Sequence, residues 1–299
     1  MIANLLATVL LTACGVDSDG LTRPACNGDQ NYCDRAYNEM AQICTHNAMS
    51  SVADGFSLPT PNQGPGLAVQ LEDGVRCMML DTYEFDGELV LCHGLCGPWG
   101  MRSLNDGLTE IRRWLDENPT EVVTFILEPY IDEAQTLQAL GDAGLVQYLF
   151  THPGLGKPWP TLGEMIDANT RLVVFTGTGD VNGTWHLDWR VHGWETPFND
   201  DTFTCENGRG DPTTVENGIF ILNHYTLCDA GGCPENAEIN NDYDFLLDRA
   251  LRCSQPDPQF NPEGQLPTFI NLDHYDVPRG SKDPAVSDAF EVIRVLNGG

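Results

Sequence analysis

Basic residues are scarce in this 299-residue chain. Fifteen lysines and arginines face 44 aspartates and glutamates, for a formal net charge of −29, and Lys157 and Lys282 are the two lysines. Because so acidic a surface repels the phosphates of nucleic acids and of anionic lipids, we expect no nucleic-acid partner. No protein partner is indicated either. With 41% hydrophobic residues, the chain still has the composition of a globular protein with a substantial core.

Three further absences narrow the class of protein. Beyond the N-terminus no apolar run reaches the roughly 18 residues of a membrane-spanning helix. No Cys-x-x-Cys pair occurs, which leaves a zinc site as the weaker explanation of the cysteines. No glycine-rich loop follows the first predicted strand, which weighs against a doubly wound, dinucleotide-binding sheet.

The N-terminus, MIANLLATVLLTACG, is an apolar segment of signal-peptide length that lacks the usual leading lysine or arginine. Residues 11–14, LTAC, are similar to the bacterial lipobox, whose cysteine is lipidated and becomes the mature N-terminus. We therefore predict a lipoprotein-type signal peptide over 1–13 and an acyl anchor on Cys14 that holds the protein on a membrane surface. The protein would be exported, as a bacterial lipoprotein at the cell surface or in secreted form.

Cysteine, in contrast, is abundant. Of eleven cysteines, setting Cys14 aside leaves ten, an even number that could form five disulfides in an oxidising compartment. The pairs close enough in sequence to form local loops are Cys26/Cys33, Cys92/Cys96 and Cys228/Cys233. The cysteines agree with export, although their spacing leaves the connectivity open.

Residues 14–36 carry turn formers without periodicity and predict a linker, so the folded domain is expected over 37–299. In that domain short, continuous, β-branched runs alternate with helical segments, as in parallel sheets buried on both faces. The clearest runs are 76–80, 88–92, 122–127, 171–175, 219–222 and 268–272. The pattern predicts a single-domain α/β fold, a distorted (β/α)8 TIM barrel stabilised by disulfides.

The best helix signal lies at 103–117, where Ser103 can cap a segment with apolar residues on one face and Asn118-Pro119 blocks continuation. Shorter helices are predicted at 132–140, 162–168 and 243–251.

Acids, amides and imidazoles follow the predicted strands, where barrel enzymes carry their sites. The residues in these positions are His46 and Asn47, Asp81, Glu128, Asn223 and His224, and Asp273 to Tyr275. His93 reaches the same region by another route. Asp86-Gly87 is a strong hairpin signal, and a turn there folds Cys92-His93 back beside Leu80-Asp81.

The stretches THN, LEDGVRCMMLDTY, LVLCHG and NPTEVVTFILE together make a specific combination. The chain resembles the X domain of phosphatidylinositol-specific phospholipases C over roughly residues 37–280, most strongly over 41–130, and is similar to the compact bacterial and fungal secreted members. The resemblance implies a distorted TIM barrel that cleaves a phosphodiester. In the implied reaction the substrate's own 2-hydroxyl attacks phosphorus, and the products are a cyclic phosphate and diacylglycerol.

The same resemblance implies roles for three residues. His46 would take the proton from the attacking hydroxyl, and His93 would protonate the leaving oxygen. Asp273 would orient His46 and stabilise its charged form. Histidine suits both steps because its unperturbed pKa of ~6.5 lies near neutrality.

Members of the family stabilise the phosphate with either Ca²⁺ or an arginine, and the arginine would stand where this chain has Asp81. Three expected Ca²⁺ ligands are matched by Asn47, Asp81 and Glu128, so Ca²⁺ is the expected cofactor. The fourth ligand position is Met79, whose thioether is a poor ligand for Ca²⁺.

His224 and Tyr275 are further expected to contact the substrate, a phospholipid or a small phosphodiester. Two alternatives remain open. A glycerophosphodiesterase or sphingomyelinase D would share the barrel but place Glu-x-Asp on the second strand, a pattern that Met79-Leu80-Asp81 breaks. A non-catalytic surface protein would keep the barrel for binding alone.

Overall fold

The computed structural model describes residues 24–57, 61–177, 179, 184–198, 201–213, 217–228, 231–279 and 286–299. The predicted signal peptide and the predicted lipidation site Cys14 lie outside the described residues. Within the described ranges, no helix has the length and apolar character needed to cross a bilayer.

Strands and helices alternate along most of the chain. The strands are β1 (Gln42–Thr45), β2 (Cys77–Phe85), β3 (Glu88–Leu91), β4 (Arg102–Ser103), β5 (Val123–Pro129), β6 (Leu172–Thr176), β7 (His186–Asp188), β8 (Gly193–Glu195), β9 (Arg209–Gly210), β10 (Ile219–Asn223) and β11 (Phe269–Leu272). The α-helices are α1 (Leu67–Asp73), α2 (Leu104–Glu117), α3 (Glu133–Asp142), α4 (Leu162–Asp167), α5 (Trp189–His192), α6 (Pro234–Asn240), α7 (Tyr243–Cys253) and α8 (Asp288–Leu296). Short 3₁₀ turns span Gln30–Tyr32, Tyr37–Glu39 and Val146–Tyr148.

Eight strands run parallel and follow one another around a curled sheet in chain order: β1, β2, β5, β6, β7, then β8, β10 and β11. The last of them, β11, pairs in parallel with β1. Among the described residues no ladder joins β7 to β8, so the wall is open there. The predicted distorted (β/α)8 barrel is confirmed.

The barrel wall separates two apolar cores because side chains alternate along each strand. Ile43 and Phe125 face outward and belong to the core shared with helix α2, whereas Cys44 and Ile126 face the interior core. Helix α2 begins after Ser103, whose hydroxyl accepts the Asp106 backbone N–H as predicted. The same alternation carries polar side chains to the interior at the carboxyl ends of the strands.

All ten cysteines from Cys26 to Cys253 are paired, which excludes the zinc alternative for them. The five disulfides are Cys26–Cys33, Cys44–Cys77, Cys92–Cys96, Cys205–Cys253 and Cys228–Cys233. The three local pairs considered from the sequence are therefore confirmed. Cys44–Cys77 ties β1 to β2 at directly opposed positions inside the barrel.

The described part of the predicted linker, residues 24–36, packs on the barrel. The Asn27 side chain bonds the backbone N–H and C=O of Val122, just before β5, and its own N–H donates to the Thr120 carbonyl. Cys26 and Cys33 belong to the interior core. This segment therefore covers the end of the barrel at which the strands begin.

Candidate active site

A cleft of about 450 Å³ opens at the carboxyl ends of the parallel strands. Its inner surface is apolar, formed in part by Met79, Ile126 and Ile221, and its mouth is aromatic and charged. The polar, aromatic and charged residues that line it are His46, Asp81, Glu128, Tyr130, Trp189, Arg190, Glu195, Phe198, Arg209 and Tyr225.

His46 follows β1 directly and is oriented by a carboxylate. Its Nδ1 lies 2.9 Å from Oδ1 of Asp273, which follows the neighbouring strand β11. A carboxylate oxygen can only accept, so Nδ1 carries the proton and Nε2 keeps its lone pair. The Asn62 amide donates to the same Asp273 oxygen at 2.9 Å. The Tyr225 ring stacks on the imidazole, with centroids 3.9 Å apart and an interplanar angle of 11°.

His93 is brought to His46 by the predicted hairpin. Strands β2 and β3 pair across the Asp86-Gly87 turn, with Thr82 opposite Leu91. The Asn47 side-chain nitrogen then lies 3.2 Å from Nε2 of His46 and 3.3 Å from Nε2 of His93. Two imidazoles, 47 residues apart in the chain, therefore converge on one amide group.

Burial lowers the pKa of His93, and the neighbouring His46 lowers it further, while Asp273 and Glu128 act in the opposite direction. Nε2 of each ring can accept a hydrogen bond from the Asn47 amide while that nitrogen carries no proton. A second proton on the pair is disfavoured because the two charges would repel. A positive charge on His46 therefore opposes protonation of His93.

Asp81 and Glu128 form an acidic wall beside the histidines. They occupy directly paired positions of the neighbouring strands β2 and β5. Burial raises the pKa of Asp81 well above its ordinary range, and the nearby Glu128 adds to this. The Tyr130 hydroxyl donates to Glu128. Within the described part of the chain, neither carboxylate forms an ion pair with a lysine, arginine or histidine.

These residues fit a hard cation only in part. The described residues contain no cluster of three or more His, Cys, Asp or Glu side chains that could hold a metal ion. The two carboxylates and the side-chain carbonyl oxygen of Asn47 have the right chemistry, and a cation would offset the burial and the neighbouring charge of Glu128, which raise the pKa of Asp81. Met79 does not contribute, since its sulfur lies 3.1 Å from the Asn271 amide and is a soft donor.

The opposite wall of the cleft was not anticipated from the sequence. Arg209, on the short strand β9, donates from Nε to Glu195 at the end of β8. Its guanidinium lies 4.8 Å from the ring centroid of Trp189 and 4.4 Å from that of Phe198. The tryptophan-rich stretch around Trp189 was the one available signal. Arg209 itself gives no signal in the sequence, because it is a single basic residue on a two-residue strand.

Two predicted substrate contacts are wrong. Tyr275 is fully buried in the outer core, where its hydroxyl donates to Asp73 at 2.6 Å. His224 is also fully buried, and it donates from Nε2 to the Asn240 carbonyl while Nδ1 accepts from Arg249. Burial and the adjacent Arg249 lower the pKa of His224 to about 3. Neither side chain reaches the cleft.

The barrel resembles solved phospholipases. A mutant of the phosphatidylinositol-specific phospholipase C of Staphylococcus aureus superposes with a TM-score of 0.56, covering 89% of this chain and 94% of the other at 12% identity. A second structure of the S. aureus enzyme gives a TM-score of 0.54 at 14% identity. At such low identity the comparison defines the class of fold, a phospholipase-type α/β barrel.

Sequence comparison identifies the protein family. The family model described as PI-PLC X matches residues 32–281. PI-PLC X domain-containing protein 1 of the fungus Arthroderma benhamiae is 30% identical over 236 residues, 74% of each chain. This chain belongs to the PI-PLC X family.

Other relatives are longer. A PI-PLC X domain-containing protein of the plant Arabidopsis thaliana is 34% identical over 193 residues, which are 59% of this chain and 42% of that protein. An uncharacterized secreted protein of A. benhamiae is 29% identical over 215 residues, 68% of this chain and 48% of the relative. The chain thus matches less than half the length of these two relatives, and all three relatives are eukaryotic.

Proposed function

We propose that this protein is an exported phosphodiesterase of the phospholipase C type, cleaving a phosphatidylinositol-like phosphodiester by acid–base catalysis between His46 and His93. The observation that carries the proposal is the approach of the two imidazoles to one amide, with Nε2 atoms 3.2 and 3.3 Å from the Asn47 nitrogen, beside the cleft that His46 lines. Displacement at phosphorus needs a base for the attacking hydroxyl and an acid for the leaving oxygen, and two neighbouring imidazoles can supply both.

His46 is the base in this mechanism. Because Asp273 holds the proton on Nδ1, the free lone pair of Nε2 can take the proton of the substrate's 2-hydroxyl as that oxygen attacks phosphorus. The carboxylate then stabilises the resulting imidazolium without itself taking the proton. Stacking of Tyr225 on the imidazole restrains the orientation of the ring.

His93 is the acid. In its protonated form it donates a proton to the oxygen that leaves phosphorus, so that diacylglycerol departs as an alcohol and not as an alkoxide. The products are a cyclic phosphodiester and diacylglycerol. A water molecule can then open the cyclic phosphate with the two histidines in exchanged roles, as microscopic reversibility demands.

We further propose Ca²⁺ as the cofactor, held by Asp81, Glu128 and the side-chain carbonyl oxygen of Asn47. When bound it would supply positive charge against the non-bridging phosphate oxygens. The raised pKa of Asp81 supports a cation here, because an unpaired carboxyl buried beside a second acid is costly. The missing ligand at Met79 implies weak binding that water completes.

Chelation by EGTA is expected to lower the cleavage rate by about 10²-fold, because loss of charge at the phosphate costs several kcal/mol. Added Ca²⁺ should also raise the melting temperature without substrate, since a ligand that binds only the folded state stabilises it. The Asp81→Asn/Glu128→Gln double variant should lose this thermal shift. Glu88→Gln, at an exposed position of β3, is the matched control and should keep it. An equal shift in all three proteins would contradict the assignment.

Export and anchoring belong to the same proposal. Five disulfides support an oxidising compartment, and a fungal relative is named as a secreted protein. We propose that Cys14 carries a lipid after cleavage of residues 1–13, as in bacterial lipoproteins, and that the substrate is met at a membrane surface or as a free phosphodiester.

Two other functions compete with this one. A glycerophosphodiesterase or sphingomyelinase D on the same barrel would also use the paired carboxylates, but the cleft offers Met79 where that chemistry needs a glutamate. A non-catalytic binding protein would need the cleft but not the two neighbouring histidines. The orientation of His46 by Asp273 favours the enzyme, because a binding pocket has no use for a fixed tautomer.

The reaction products distinguish these candidate functions. Phosphatidylinositol in mixed micelles, incubated with the purified protein and followed by ³¹P NMR, is expected to give a cyclic inositol phosphate before any phosphomonoester. Release of free inositol with phosphatidic acid would support the phospholipase D-like alternative. No turnover of this substrate or of glycerophosphoinositol would favour the binding protein.

A further inference from the structure

His93 is not carried by a strand of the barrel wall. It follows β3, the returning strand of the hairpin, and the β2–β3 ladder ends at the pair Thr82–Leu91, two positions before it. His46, in contrast, directly follows its strand β1, whereas β3, although it pairs with both β2 and β4, ends at Leu91 in both ladders. The placement of the second imidazole must therefore be secured by something other than the sheet.

A covalent loop supplies one restraint. His93 lies within the loop closed by the Cys92–Cys96 disulfide, whose Cα atoms are 5.4 Å apart. Cys92 is fully buried at the end of β3, so the disulfide fastens the far side of the loop to a rigid point. Such a cross-link removes most of the conformations that the open loop would sample.

An aromatic side chain supplies the second restraint. Gly94, directly after His93, has φ +72°, and a Cβ placed there would lie 2.4 and 2.7 Å from two ring atoms of Trp99. The indole thus rests against the backbone of the His93 loop. The backbone N–H of Trp99 donates to the Leu95 carbonyl at 3.2 Å. Gly100, directly after Trp99, lies in the same way against the ring of Phe56, which is 4% exposed.

We propose that the Cys92–Cys96 disulfide and the indole of Trp99 are positioning elements that hold His93 at proton-transfer distance from the leaving oxygen. The inference rests on the proposed function, since it assigns these groups to the acid half of that reaction. It also makes full activity dependent on formation of this disulfide, and hence on an oxidising compartment.

The test uses two substrates that differ in their need for an acid. Phosphatidylinositol releases the alcohol of diacylglycerol, which requires a proton. A nitrophenyl inositol phosphodiester releases a stable phenolate, which does not. In the Cys92→Ser/Cys96→Ser double variant, kcat on phosphatidylinositol should fall by about 10²-fold, the cost of a displacement near 1 Å. The rate on the nitrophenyl substrate should stay close to that of the wild type.

The matched control is Cys26→Ser/Cys33→Ser, which opens another short disulfide at the opposite end of the barrel. It should leave the ratio of the two rates unchanged even if its melting temperature falls. Should the Cys92/Cys96 variant fail to fold, Trp99→Ala replaces it and should show the same selective loss on phosphatidylinositol. Trp99→Phe is expected to restore part of the phosphatidylinositol rate.

Equal losses on both substrates would mean that the loop only supports the fold, and unchanged rates would mean that it does not position His93. Either result overturns the inference while leaving the proposed function intact. A wild-type protein that cleaves neither substrate would instead overturn the proposed function, and the role of the loop with it.

Discussion

Replacing His46 by alanine is expected to reduce kcat for phosphatidylinositol by about 10³- to 10⁴-fold, at the upper end of what general base catalysis contributes. Without the imidazole the site loses the base whose Nε2 lone pair Asp273 keeps available for the 2-hydroxyl proton. Initial rates and the amount of cyclic phosphate formed measure the loss.

Three comparisons make this result specific. His46→Gln keeps much of the side-chain volume against Tyr225 and should be as inactive as the alanine variant. Asp273→Asn should also lose activity, since it no longer holds the proton on Nδ1. His186→Ala changes a buried histidine outside the cleft, near Glu133, and should leave kcat unchanged. If His46→Ala remained active with an unaltered melting temperature, the mechanism would be wrong.

Replacing His93 by alanine is expected to have an effect that depends on the leaving group. On phosphatidylinositol the rate should fall by about 10²- to 10⁴-fold, because the alkoxide must leave without a proton. On a nitrophenyl inositol phosphodiester the loss should be less than about tenfold, because phenolate departs readily. His46→Ala should lose activity on both substrates, since attack by the hydroxyl precedes either departure.

This contrast assigns acid and base without relying on distances. If His93→Ala lost the same factor on both substrates, His93 would serve binding or the base step, and the assignment would have to be reversed or abandoned. The apparent pKa on the alkaline side of the kcat/KM profile offers a second check. It should lie below the ordinary value of histidine, 6.5, because burial and His46 lower the pKa of His93.

Continuous apolar runs located six strands correctly. Five of them are parallel strands of the wall, whose burial on both faces favours apolar side chains at successive positions. The sixth, β3, is an antiparallel hairpin strand with Glu88 exposed, and the Asp86-Gly87 turn signal marked it as well. The three-residue strands β7 (HLD) and β8 (GWE) escaped prediction. Neither has an apolar run of its own, and each is extended because a neighbour in the sheet pairs with it. Tertiary pairing of this kind leaves no local signal.

Two errors at strand ends have a simple geometric origin. Along β10, Ile219 and Ile221 face the interior, so His224 falls on the outer face by the same alternation. Tyr275 would face inward if the chain after β11 stayed extended, but His274 has φ +45° and reverses it. The error at His224 could have been avoided by following the alternation of side chains along the strand. The error at Tyr275 could not, because the sequence does not show the reversal at His274.

Asn62 and Arg209 mark the limit of inference from the sequence. Asn62 belongs to the loop sequence PNQ, without periodicity, and its part in the site comes from a hydrogen bond to Asp273, 211 residues away. Arg209 reaches the cleft through the two-residue strand β9. Motifs identified the histidines and the carboxylates, while the side chains that orient or surround them depend on long-range contacts.

The chain enters the described structure at the end of the barrel where Asn27 bonds Val122, and the cleft opens at the other end. The lipid proposed on Cys14 would therefore anchor the protein through the end of the barrel opposite the cleft, so that the cleft would face away from the anchoring membrane.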